Sequence, residues 1–128
     1  MIVKYKDFVN EQKTNTITLY HGTCLNNANE LVKNGWKPNI YGSGSNMGDA
    51  NYLYLSSDPD DALWFANEKG CQTIIELKNI PLDFLIPDPE DEAGFTMLEL
   101  LQRINNTNYP AKFALYKELP SEFFKIIN

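Results

Sequence analysis

Apolar residues fall in short runs along this chain, and residues that start or stop elements bound each run. Ile17 to Tyr20 is a β-branched and aromatic run that predicts a short strand. Ala28, Leu31, Val32 and Trp36 follow at helical spacing. Asn27 and Glu30 are spaced as a capping box before them, and Gly35 suits the helix end. Residues 37–51, rich in Gly, Asn and Ser, predict a loop. Tyr52 to Leu55 alternates with period two, which puts Tyr52 and Tyr54 on one face of a strand and Leu53 and Leu55 on the other. Asp58-Pro59-Asp60-Asp61 then marks a helix start: a side-chain acceptor at the N-cap, proline at the first helical position and carboxylates at the positive end. That helix runs through Ala62 and Ala66 to a stop at Gly70.

The second half reads as strands around one helix. Thr73–Leu77 and Leu82–Ile86 predict strands, and the acidic loop Asp88–Glu92 follows. Thr96 and Glu99 form a capping box ahead of Met97, Leu100, Leu101 and Ile104 on one face. Phe113–Tyr116 and Phe123–Ile127 predict closing strands, with a turn at Leu119-Pro120-Ser121. The mixed order makes the class α+β. A length of 128 residues suits one domain spanning 1–128.

Composition narrows the chemistry. The net charge of −6 argues against nucleic-acid binding, and with Arg103 as the single arginine no cluster of guanidinium forks grips phosphates. Lysines or backbone N–H groups would serve instead. Cys24, Cys71 and His21 are too few for a zinc site, so no metal is expected. No apolar run is long enough to cross a membrane, and the opening residues lack an apolar signal segment. We therefore expect a cytoplasmic protein with both cysteines reduced.

His21, the only histidine, ends the first predicted strand and is followed by Gly22 and Thr23. A glycine there lets a ligand approach the backbone closely. The succession Leu-Tyr-His-Gly-Thr, helix, Gly-rich loop, Tyr-Leu-Tyr-Leu-Ser and Asp-Pro-x-x-Ala-x-x-x-Ala resembles the ADP-ribosyltransferase superfamily, in its diphtheria-toxin and poly(ADP-ribose)-polymerase branch with a His-Tyr-Glu triad. The resemblance covers residues 17–77 well and the C-terminal half loosely. It implies two packed, mostly antiparallel sheets with flanking helices around an NAD cleft.

The same resemblance implies roles. His21 would bond a ribose hydroxyl, Gly22 the nicotinamide carboxamide, and Thr23 the adenosine side or the turn. Tyr54 would be the triad tyrosine. Ser56 would also contact the cofactor. Trp64 or Phe65 would supply a second ring against nicotinamide, and the loop 42–51 would cover it. The catalytic carboxylate falls to Glu118, with Glu76, the acidic loop Asp88–Glu92 or no carboxylate as alternatives. Where relatives often carry this Glu, several residues before the x-Pro turn, the chain has Lys112, Phe113 and Ala114. The cholera-toxin-like branch needs a first-strand arginine, and the RNA 2′-phosphotransferase branch uses arginines for phosphate. Neither pattern is present.

Three functions remain open at this point. One is mono-ADP-ribosyl transfer from NAD to a protein, as in a bacterial or phage effector. The second is an inactive module of that fold binding NAD, ADP-ribose or a partner protein. The third is an interaction domain in which His-Gly-Thr is coincidental.

Overall fold

The computed structural model describes residues 15–38 and 51–128. Within them the order is β1 (Thr16–Thr23), α1 (Leu25–Asn34), β2 (Leu53–Ser56), α2 (Pro59–Glu68), β3 (Thr73–Pro81), β4 (Leu85–Pro87), α3 (Met97–Asn106), β5 (Lys112–Leu115) and β6 (Phe124–Ile126). The class is α+β, as the pattern of the sequence predicts. The strands form one antiparallel sheet in the order β4-β5-β2-β1-β3-β6.

Among the described residues, the implied pair of sheets is thus replaced by a single sheet with a narrow seam. β1 and β3 pair from Thr16↔Pro81 to Thr23↔Thr73, and β2 and β5 pair along their whole lengths. Between β1 and β2 the register holds at Tyr20↔Ser56. Beside that pair the His21 imidazole bonds the Tyr54 carbonyl, a group that a regular ladder would give to a backbone N–H.

The two faces of β1 have different partners. Leu19 joins Leu31 of α1, Ile75 and Leu77 of β3 and Phe113 of β5 in the main core. The opposite face carries Gly22, and α2 lies directly on it: a β-carbon at Gly22 would overlap the Ala62 carbonyl oxygen and stand 3.0 Å from the Ala66 nitrogen. Ala62 and Ala66 are buried at this crossing, so the small residues on both sides permit the close approach.

Local signals at α2 and α3 match the expectation. The Asp58 carboxylate accepts from Asp60 N–H at 2.9 Å with Pro59 inside the first turn, and Thr96 and Glu99 cap each other. The start of α1 differs. It is capped by Cys24 without a side-chain bond, and Asn27 instead donates to the Thr23 hydroxyl at 3.3 Å. The chain turns into α1 directly after β1, which leaves Asn27 inside the helix. Trp36 lies beyond α1 and bridges to Leu119. The predicted strand Leu82–Ile86 begins as a 3-10 turn, Leu82–Phe84.

Cys24 and Cys71 form a disulfide with a Cα–Cα distance of 5.0 Å, which corrects the expectation of free thiols. Pairing of Thr23 with Thr73 brings the chain ends beyond these residues together. Among the described residues no helix is long and apolar enough to cross a membrane.

Candidate functional site

A cavity of about 340 Å³ opens where the seam between β1 and β2 meets α2 and the acidic loop. Tyr20, His21 and Gly22 come from β1, and Tyr54, Leu55 and Ser56 from β2. Helix α2 and its C-terminal turn supply Ala62, Phe65 and Lys69. Asp88, Glu90, Asp91 and Lys112 complete the wall.

His21 is 7% exposed, and its Nδ1 lies 2.8 Å from the Tyr54 carbonyl oxygen. A carbonyl only accepts, so Nδ1 carries the proton of the neutral ring and Nε2 is left as an acceptor. Nε2 is buried and has no hydrogen-bond partner among the described residues. Burial pushes the imidazole pKa down to about 4. The Tyr54 bond opposes that shift and the Lys69 charge adds to it. Near neutral pH the ring is therefore an uncharged acceptor with one unused lone pair. An orphaned acceptor of this kind costs free energy unless a ligand donor meets it.

Tyr54 and Ser56 share the sheet face opposite Leu53 and Leu55, as the period-two pattern implies. The Ser56 hydroxyl caps the chain by accepting from Asp58 N–H at 3.1 Å. Burial, then nearby Glu76 and Asp58, push the Tyr20 phenol up, so it stays protonated.

The acidic loop is held rigidly against the start of β5. Asp88 N–H donates to the Lys112 carbonyl at 3.1 Å. Buried Glu92 accepts Lys112 N–H at 3.0 Å and takes both arms of the Arg103 guanidinium, at 2.8 and 2.9 Å. These bonds push the Arg103 pKa up. The Asp88 carboxylate accepts from the N–H groups of Glu90 and Asp91 at 2.8 and 3.1 Å. Asp91 lies 3.7 Å from the Lys112 ammonium, which also stands 5.4 Å over the Phe65 ring.

The structure therefore brings together His21, Gly22, Tyr54, Ser56 and Phe65. Thr23 is fully buried behind the wall, with its hydroxyl taken by Asn27. Trp64 is 55% exposed and stacks edge-on against Phe65 from outside. Glu118 is not in the cavity. The register Ser56↔Lys112 and Leu53↔Leu115 places the first residue of β5 at the cavity and carries the chain away from it, toward exposed Glu118. Glu76 sits opposite Tyr20 on β3 and is also absent from the lining. The expected covering loop, 42–51, lies outside the described residues apart from Asn51.

Tyr20 and Lys69 are lining residues that sequence reasoning missed. The alternation along β1 was a usable signal for Tyr20, which is two residues from Gly22 and shares its face. Nothing local marks Lys69, which reaches the cavity only because α2 crosses β1 at Gly22. Against known proteins, the sequence matches no family model and no curated protein at a significant level.

Proposed function

We propose that this chain binds NAD in the cavity and transfers its ADP-ribosyl group to a protein, within the ADP-ribosyltransferase-like reading of the fold. The observation that carries the reading is the neutral, buried His21 with an unpartnered Nε2, lining a cavity that also holds Tyr54, Phe65 and loop carboxylates. A ribose hydroxyl supplies the donor that Nε2 lacks. The Gly22 backbone lines the same cavity and is the group this reading gives to the carboxamide, and aromatic faces suit a positively charged nicotinamide ring.

In the reaction the bond from ribose C1′ to the ring nitrogen breaks, and nicotinamide leaves with the electron pair. A nucleophile of the acceptor bonds to C1′ and loses its proton to a carboxylate and then to solvent. Positive charge grows on the sugar as the ring departs, so an anion fixed beside it stabilises the transition state more than the ground state. With Glu118 outside the cavity, the loop Asp88–Glu92 is the source of that anion in this proposal.

A second reading, an NAD- or ADP-ribose-binding module without turnover, draws support from Lys112. It lines the cavity in the region of β5 where the resemblance implies a glutamate. Labelled NAD incubated with the protein and a cell lysate separates the two. Transfer predicts labelled protein bands and released nicotinamide, whereas a calorimetric binding signal without either marks the module. No binding of NAD or ADP-ribose overturns both. Cytoplasmic action stays part of the proposal under one condition: a reducing cytosol opens disulfides, so the assays are run with and without reductant.

A further inference from the structure

Each half of the Cys24–Cys71 disulfide closely follows residues of the cavity wall. His21 and Gly22 precede Cys24 on β1, and Lys69 precedes Cys71 in the turn after α2. The N–H groups of Lys69, Gly70 and Cys71 donate to the carbonyls of Ala66, Asn67 and Ala66. Those bonds shape the turn on its own helix and do not fasten it to β1. The disulfide does, because Cys24 directly continues β1. The strands themselves are held by their ladder, which is paired through to Thr23↔Thr73. Both cysteines are partly exposed, so a small reductant reaches the bond.

We propose that the Cys24–Cys71 disulfide is a redox-sensitive latch on the cavity. Closed, it holds the turn that carries Lys69 against the end of β1 that carries His21 and Gly22. Opened, it frees that turn, admits water to His21 Nε2 and weakens ligand binding, while the sheet stays paired. The reductant is a dithiol. One of its thiolates bonds to a protein sulfur and expels the other cysteine as a thiolate, and its second thiolate then displaces the first cysteine. Net, two electrons and two protons pass from the dithiol to the cysteines, and the dithiol leaves as a cyclic disulfide. The ligand-binding half of the inference rests on the NAD reading above, and the half that concerns His21 does not.

Oxidised protein and protein reduced with dithiothreitol are compared by proton–nitrogen spectra of the backbone and imidazole and by calorimetric titration with ADP-ribose and NAD. The double variant Cys24→Ser with Cys71→Ser controls for the reagent. The reduced protein is expected to keep the backbone spectrum of the sheet. Its His21 pKa is expected to rise from about 4 toward 6.5, because solvent returns to the ring and the Lys69 charge recedes. ADP-ribose is expected to bind roughly fivefold or more weakly, and by linkage to make the bond harder to reduce by the same factor. The double variant is expected to match the reduced protein with and without reductant. An unchanged His21 titration overturns the latch, and so does equal ligand affinity in the two redox states. Unfolding on reduction also overturns it, since the bond then holds the whole fold and not the cavity wall. If His21 shifts as expected but neither ligand binds in either state, the NAD reading falls and the latch stands.

Discussion

His21 titration tests the site most directly, because the chain has one histidine and its imidazole signals are unambiguous. The free residue titrates at 6.5, and burial in the seam pushes the native ring to about 4. The unfolded state therefore holds more protons than the native state between those two pH values. The sign follows directly. The contribution of the neutral ring to stability is complete above 6.5, declines as the pH falls through the window and is gone below about 4. The size is roughly 3 kcal/mol, with a slope approaching 1.4 kcal/mol per pH unit inside the window. Long-range proton–nitrogen correlation spectra across the window read both the pKa and the tautomer, and the expected neutral form carries its proton on Nδ1. Urea unfolding of the wild type and His21→Asn over the same range isolates the histidine from the carboxylates, since only the wild type loses this contribution on acidification. A ring that titrates near its ordinary value, or a neutral form protonated on Nε2, refutes the account of His21 as a buried acceptor.

Four further outcomes are expected. Gly22→Ala places a methyl group inside the Ala62 carbonyl, so α2 must move off β1. A loss of about 3 kcal/mol or more in urea unfolding is expected, and an unchanged midpoint refutes the close crossing. Arg103→Met leaves Glu92 buried with only the Lys112 N–H, at an expected cost of about 2–4 kcal/mol, and the pair Arg103→Met with Glu92→Met recovers much of it. Opening the disulfide, which spans 47 residues, lowers unfolding free energy by about 4 kcal/mol in the chain-entropy account. Denaturant melts with and without reductant measure it, and native thiols that alkylate freely contradict the bond. Glu118→Gln is expected to leave NAD affinity and nicotinamide release unchanged, because Glu118 is outside the cavity; a tenfold drop in release places the catalytic carboxylate back on that residue.

Signals that act over a few residues were legible from the chain alone. Asp58 and Pro59 start α2, Thr96 and Glu99 cap α3, and the alternation through Tyr54 and Leu55 sorts β2 into two faces. Each of these depends on backbone geometry that neighbouring residues already determine. The strand end expected at His21 was not legible in this way: β1 runs on through His21 and Gly22 to Thr23, and what faces these two residues is set by the seam with β2 and by α2.

Tertiary structure decided everything that depended on register. Two residues just outside paired strands met as a disulfide, Cys24 after β1 with Cys71 before β3, because the strands align Thr23 with Thr73. Lys112 rather than Glu118 reached the cavity because β5 meets Ser56 with its first residue. Phe65 faced inward and Trp64 outward because α2 crosses β1 at Gly22 with Ala62 and Ala66 beneath it. His21 is neutral because it is buried in the seam, and its proton sits on Nδ1 because of a bond to Tyr54, a residue 33 positions away. Charge, protonation and access at the site are set by groups that are distant in sequence and close in space, and no local pattern carries that information.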